Sequence, residues 1–338
     1  MTLMAEIHEQ PAALARSIEA NVGLAERIAS LRHRDVTHVV VAARGTSGNA
    51  ARYAQYLWGW RNRISVGHAA PSLFTVFGRP PDLSGALVVG ISQSGASPDL
   101  VAVLAEARRQ GRPTLAITND PESALAAVAE VVVDLAVGEE RSVAATKTYT
   151  AELAAVMLCS FAFAGDDPDP LGALPDVASD TLARASEIAE PASVLAEASR
   201  VAVVGRGFHH ATVHEWALKL QEVTYVLAQP YSAAEFLHGP VAVVEDGFPV
   251  LTVATSGHLV EPMLDLVTDL VGRGADVLVI SDRPVGGARA VLPIPTCDEW
   301  LAPVPAAIAA QLFSHALAVA KGHDPDRPRG LRKVTYTL

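Results

Sequence analysis

Ser92-Gln93-Ser94-Gly95-Ala96-Ser97 is the stretch on which the reading of this chain turns. It follows Ala86-Leu87-Val88-Val89-Gly90-Ile91, a continuous apolar run of the kind that forms a buried parallel strand. It precedes Pro98-Asp99-Leu100-Val101-Ala102-Val103-Leu104, a helical pattern with Pro near its start. Three hydroxyls therefore gather where a strand hands over to a helix N-terminus. Free backbone N–H groups and the positive end of the helix dipole suit an anion there, phosphate above all. A helix cap is the plainer alternative, because Ser is a preferred N-cap residue. One Ser suffices for a cap, and three around a Gly favour a ligand.

Outward from this loop, the chain repeats itself. Val39-Val40-Val41-Ala42-Ala43-Arg44-Gly45 has a counterpart in Val201-Ala202-Val203-Val204-Gly205-Arg206-Gly207, with Arg44 and Arg206 162 residues apart. Ser94-Gly95 returns as Ser256-Gly257 at the same offset. Gly111, ahead of Thr114-Leu115-Ala116-Ile117, matches Gly274, ahead of Val277-Leu278-Val279-Ile280, at 163. Three landmarks at one spacing indicate a duplicated α/β unit rather than a short-period repeat. The expected fold is α/β: two tandem doubly wound parallel sheets of flavodoxin-like type, each a three-layer αβα sandwich. Ligands in such sheets bind beyond the carboxyl ends of the strands, where the Arg-Gly and Ser-Gly turns fall. The first Arg-Gly turn leads into a helix expected from Asn49, which puts Ser47 at a second helix start. Neither G-x-G-x-x-G nor a P-loop is present, so a nicotinamide or ATP reading is weak.

The expected organisation is an N-terminal helical segment (1–34), a first α/β domain with the anion loops (35–165), a linker and helix (166–197), a second α/β domain (198–325) and a C-terminal tail or lid (326–338). Pro11 is expected to break the first helical region, over residues 5–32. Gly165-Asp166-Asp167-Pro168-Asp169-Pro170-Leu171-Gly172 reads as the linker. A helix from about 174 to 197 follows.

Composition narrows the function. A net charge of −11 argues against nucleic acid, which needs a basic face. Two cysteines, Cys159 and Cys297, make neither a metal signature nor a disulfide framework and read as apolar packing residues of a cytoplasmic protein. The N-terminus does not read as a signal peptide. No uncharged apolar stretch of about 18 residues is read, so no membrane partner is expected.

Chemistry concentrates in the second copy. In Glu215-Trp216-Ala217-Leu218-Lys219-Leu220-Gln221-Glu222, the charges at 215, 219 and 222 share one helix face. A solvent-facing ladder is the bland alternative. A polar loop, Tyr231-Ser232-Ala233-Ala234-Glu235-Phe236-Leu237-His238-Gly239-Pro240, follows and fixes His238 beside a Gly-Pro turn, which favours acid/base work. The polar, Pro-rich C-terminus reads either as a lid or as a solubilising tail, and the alternation of Val334, Tyr336 and Leu338 favours order.

These residues together resemble the sugar isomerase (SIS) family, in particular the isomerase half of glucosamine-6-phosphate synthase, over nearly the whole chain. Glu6-Ile7-His8-Glu9-Gln10-Pro11 is similar to the family's opening motif. Gly45-Thr46-Ser47, Ser92-Gln93-Ser94-Gly95 and Ser142-Val143-Ala144-Ala145-Thr146-Lys147 are similar to its three phosphosugar loops. The segment from Lys219 to Pro240 resembles its catalytic segment, and Asp326-Arg327-Pro328-Arg329-Gly330-Leu331-Arg332-Lys333 its tail. The resemblance implies that Ser47, Ser92, Gln93, Ser94 and Ser97 bind the phosphosugar, that Val143 lines it, and that Glu215 and Lys219 form a polar pair beside the catalytic carboxylate. It implies that Glu222 shuttles a proton between C1 and C2, that His238 helps open the ring from the neighbouring subunit of a homodimer, and that Lys333 engages the open-chain carbonyl. No metal or cofactor is signalled.

Two departures bear on the reaction. Arg44 stands where the synthase has Cys, and Ala145 where it has Ser. Residues 97–100 and 142–147 look more like the stand-alone deaminase and deglycase members, and the chain as given carries no amidotransferase half. The expected activity is deamination and isomerisation of glucosamine 6-phosphate to fructose 6-phosphate and ammonia. A fructosamine-6-phosphate deglycase is the alternative, and a non-catalytic phosphosugar sensor a third reading. The sugar epimer and the amine substituent stay open.

Overall fold

The computed structural model describes residues 2–32, 34–331 and 333. Two five-stranded sheets form, one per copy. In the first, β1 (His38–Ala43), β2 (Ser65–His68), β3 (Ala86–Ile91), β4 (Thr114–Thr118) and β5 (Val131–Asp134) lie in the order β2-β1-β3-β4-β5. In the second, β6 (Arg200–Gly205), β7 (Leu227–Ser232), β8 (Pro249–Val253), β9 (Asp276–Ser281) and β10 (Ala290–Pro293) lie in the order β7-β6-β8-β9-β10. Both are the flavodoxin-like doubly wound order. Pairing is parallel in both sheets, with His38 opposite Ala86 at the start of the β1–β3 ladder and Ala202 opposite Val250 in the β6–β8 ladder. The expected fold class therefore forms, twice.

The helices are α1 (Leu3–His8), α2 (Gln10–Asn21), α3 (Ala25–Arg32), α4 (Gly45–Asn62), α5 (Ser72–Thr75), α6 (Pro98–Arg109), α7 (Ala124–Ala127), α8 (Lys147–Ala164), α9 (Leu174–Leu182), α10 (Ala185–Ala189), α11 (His209–Thr224), α12 (Ala233–Leu237), α13 (Val260–Gly272) and α14 (Pro303–Ala320). The described residues fall into two compact units. The first sheet belongs with residues 12–140, 147–173 and Lys333; the second sheet belongs with residues 2–11, 141–146 and 174–331.

In the first-sheet unit, every residue of β3 and β4 is buried, as two-sided cover demands of central parallel strands. Gly90 leaves β3 free to lie under Leu104 and Leu125, whose methyls approach within about 3 Å of where a Cβ would be. Helix α8 is buried along nearly its whole length and packs on α3 and α4. Polar groups tie α4 to it: Trp58 Nε1 donates to the Val156 carbonyl over 2.9 Å, and Ser160 Oγ donates to Asn62 Oδ1 over 2.7 Å.

In the second-sheet unit the core helix is α14, packed against α1, α9, α10 and α11. It corrects one expectation. Pro303–Ala320 is an uncharged helix of 18 residues with a mean hydropathy of 1.4, enough by length and composition to pass for a membrane span, but 78% of it is buried inside the protein.

Local boundaries differ from expectation for identifiable reasons. Pro11 occupies the second position of α2, where its missing N–H breaks no helical bond, so the interruption falls at Glu9 instead. Gly45 takes φ +51°, a region open to glycine, and turns the chain from β1 directly into α4, four residues before Asn49. The helix expected over 174–197 is three pieces, α9, α10 and a 3₁₀ turn that begins at Glu190-Pro191. Residues 231–240, read as a loop, instead hold the end of β7 and the short helix α12.

Candidate functional sites in the two units

In the first-sheet unit the strand order reverses between β1 and β3, and the two predicted loops leave from the carboxyl ends of those neighbours. Arg44 Nε and Nη2 both donate to Asp99 Oδ2, over 3.0 and 2.9 Å. Asp99 is fully buried near the start of α6, so the Arg-Gly turn is bolted to the Ser-rich loop. Ser47 Oγ donates to Glu152 Oε1 over 2.6 Å, which sets its hydroxyl against a buried carboxylate of α8. Within the loop, Ser92 Oγ accepts the Gly95 N–H and Ser94 Oγ accepts the Ala96 N–H. Ser97 is the N-cap residue of α6, yet its side chain makes no capping bond. The cap alternative therefore accounts for the backbone of Ser97 but not its hydroxyl. Gln93, Ser94 and Ser97 are half-buried.

Lys333 Nζ donates to Glu140 Oε2 over 2.9 Å. Glu140 is buried and also accepts from Thr148, through the hydroxyl at 2.6 Å and the backbone N–H at 3.2 Å. Val334, Tyr336 and Leu338, whose alternation suggested order in the tail, lie outside the described residues.

In the second-sheet unit, α11 carries the charged face. Lys219 Nζ lies 3.3 Å from Glu215 Oε1 and donates to Glu222 Oε2 over 2.5 Å. The solvent-facing ladder is ruled out by burial: the Glu215 and Lys219 side chains are 2% and 3% exposed, and Glu222 is 19% exposed. Burial opposes the Lys219 charge, but Glu215 and Glu222 outweigh it and hold its pKa above that of a free lysine. His238 closes α12 and is exposed, and Gly239 after it takes φ +153°. Val143 is half-buried in the third loop.

The second copy of the Ser-Gly loop is built differently from the first. Ser256 donates its backbone N–H to Asp282 Oδ1 over 3.0 Å and its hydroxyl pairs with the same carboxylate. Glu299 Oε2 accepts the His258 N–H at 3.1 Å and pairs with His258 Nδ1 at 2.6 Å. The chain's own carboxylates occupy this loop, in place of the hydroxyl cluster of residues 92–97.

Glu140 and Glu152 were not singled out from sequence, because each is one carboxylate with no motif around it, and Asp99 was noted only as part of the helical run and the 97–100 segment, with no role. The surroundings of both cysteines disfavour the thiolate. Burial pushes the Cys159 thiol up to about 12. Cys297 is also pushed up to about 12, by burial and by Asp282 and Asp298, so its surroundings are acidic and not the purely apolar ones expected.

The SIS domain model matches residues 32–161 and 194–317. A glutamine–fructose-6-phosphate aminotransferase (isomerizing) from Pyrococcus horikoshii is 33% identical over 98% of this chain, which spans little more than half (57%) of that relative. A solved structure described as a putative phosphosugar isomerase from Silicibacter pomeroyi is 33% identical, with a TM-score of 0.89 over 96% of this chain and 100% of that one. A glucosamine-6-phosphate deaminase from Thermotoga maritima covers both chains fully with a TM-score of 0.82 at 22% identity, a likeness of fold alone. This chain belongs to the SIS-domain family, with two copies of the domain in one polypeptide, and is homologous to the isomerase half of the aminotransferases.

Proposed function

We propose that this protein is an aminosugar-phosphate deaminase and isomerase that converts glucosamine 6-phosphate and water to fructose 6-phosphate and ammonia. The observation that carries the reading is the graded exposure on α11. Glu215 and Lys219 are closed off, and Glu222, aimed by Lys219, is the member of the three that reaches solvent. That is the arrangement a base needs if it is to meet substrate while held in one orientation. The family relatives, named for reactions of fructose 6-phosphate, support a hexose 6-phosphate substrate.

In this reading Ser47, Ser92, Gln93, Ser94 and Ser97 hold the phosphosugar through hydroxyls, amide and backbone N–H groups, and Val143 lines the sugar. His238 helps open the pyranose. Glu222 takes the proton from C2, leaving an enolamine, and returns it to C1. The ketimine so formed at C2 takes up water and releases ammonia. General acid–base help of this kind is worth about 10²–10⁴-fold. Lys333 engages the open-chain carbonyl, either as a cation or through a transient imine. A homodimer belongs to the same reading, with His238 serving the partner's sugar. The neighbouring Leu237, 52% exposed, supports an apolar contact beside it.

The test is ammonia release across a panel of hexosamine and fructosamine 6-phosphates. Glucosamine 6-phosphate should be the preferred substrate, and Glu222→Gln should lower kcat by about 10²-fold or more. Unchanged ammonia release in that variant would sink the proposal. Preference for a substituted fructosamine phosphate would move the reading to a deglycase.

A further inference from the structure

The opening motif has no chemistry assigned to it, yet it makes specific polar contacts. Glu6 is fully buried on α1. Its Oε1 accepts the Arg141 N–H at 2.6 Å and its Oε2 accepts the Ser142 N–H at 3.0 Å. One carboxylate thus takes two consecutive peptide donors at the start of the third loop. Such bonds to an ionisable acceptor are stronger than neutral ones, and buried peptide N–H groups left unpaired are costly. Gln10 Nε2, on the next helix, donates to Gln311 Oε1 over 2.8 Å, and Gln311 Nε2 donates to the Thr146 carbonyl over 3.4 Å. The loop is therefore gripped at both ends, and Val143 stands between the grips. The same helix reaches the root of the C-terminal tail, where the Leu3 N–H donates to Asp326 Oδ1 over 2.6 Å.

We infer that Glu6 is a positioning residue. It fixes the third loop so that Val143 is presented to the sugar, with Gln10 and Gln311 fixing the far end. The inference rests on the phosphosugar reading for its consequence, but its structural part stands apart from that reading.

The test uses the full-length protein with Glu6→Gln, which keeps the shape but turns an NH₂ group toward one of the two peptide donors. Amide hydrogen exchange over residues 141–146 reads the grip without substrate, and calorimetric binding of fructose 6-phosphate reads the consequence. Exchange at Arg141 and Ser142 should accelerate by about tenfold or more while β3 and β8 stay protected, and the Kd for fructose 6-phosphate should rise by a similar factor. Glu6→Asp, which keeps the charge, should fall between wild type and Glu6→Gln in both measurements. Unchanged exchange in folded Glu6→Gln overturns the inference, and so does accelerated exchange with unchanged Kd. Failure of the wild type to bind any sugar phosphate would instead count against the proposed function, because the exchange result would still decide whether Glu6 holds the loop.

Discussion

Lys219 Nζ donates to Glu222 Oε2 over 2.5 Å from a side chain that is 3% exposed. A buried ammonium between two carboxylates is a shared counter-ion, and its removal leaves the buried Glu215 facing Glu222 with no cation between them. Lys219→Met should therefore destabilise the protein by about 3–5 kcal/mol in urea denaturation, and adding Glu215→Gln should recover part of the loss. Equal stability of Lys219→Met and wild type would show that the cluster is not electrostatically coupled.

His209 gives the protein an acid sensitivity of definite sign. Its Nε2 lies 2.7 Å from Thr255 Oγ1 and its Nδ1 3.2 Å from Thr212 Oγ1. Burial lowers its pKa to about 4, against a weaker opposing pull from Asp282. The folded state keeps this ring neutral while the unfolded chain takes up a proton near pH 6.5. Its contribution to stability is thus intact above about pH 6.5 and is lost as pH falls from there toward 4, at up to about 1.4 kcal/mol per pH unit. Urea midpoints at pH 7, 6 and 5 should fall less steeply for His209→Gln, and an identical slope in the variant would refute the assignment.

Gly95 and Gly111 separate two costs of a left-handed backbone. Both have positive φ, +57° and +71°, but a Cβ on Gly95 would run into Ser123 whereas one on Gly111 meets nothing within 4 Å. Gly111→Ala should lose about 1 kcal/mol from backbone strain alone. Gly95→Ala should lose more, by about 1–3 kcal/mol from overpacking, and should weaken sugar-phosphate binding as the loop shifts. Equal losses at the two positions would contradict the packing described around the loop.

The two thiols should be silent in the folded protein. With each pKa near 12, only about 10⁻⁴ of either is thiolate at pH 8. Iodoacetamide at that pH should label neither Cys159 nor Cys297 until urea is added. Rapid native labelling of Cys297, the less buried of the two, would show that burial and its acidic neighbours do not suppress it.

Most of the fold was legible because the duplication supplied its own control. The pairs Arg44 and Arg206, Ser94 and Ser256, Gly111 and Gly274 mark equivalent turns in two sheets of the same strand order. Helix boundaries were less legible, since Gly45 and Pro11 act through backbone geometry that a residue pattern does not show. On α11 the spacing gave the shared face but could not distinguish a wet ladder from a buried one; that depends on the elements packed around the helix, which local spacing does not show. Glu152 and Glu140 were illegible for a related reason. Each acts through a partner distant in the chain or on another element, Ser47 in one case and Lys333 in the other. Nothing in the local sequence marks a carboxylate that will be buried against a distant hydroxyl or amine.

The grip of α1 also sets a timetable. Glu6 waits for Ser142, Gln10 for Gln311 and Leu3 for Asp326, partners made 136, 301 and 323 residues later. At roughly 5–20 residues per second, the N-terminal segment leaves the ribosome some 15–60 s before its final partner exists. During that interval Ile7, fully buried in the finished protein, has no completed second-sheet unit to enter. The second-sheet unit can close only after residues 311–326 are made, by which time residues 12–140 and 147–173 of the first-sheet unit already exist. Synthesis thus imposes an order on two copies whose folds are otherwise alike.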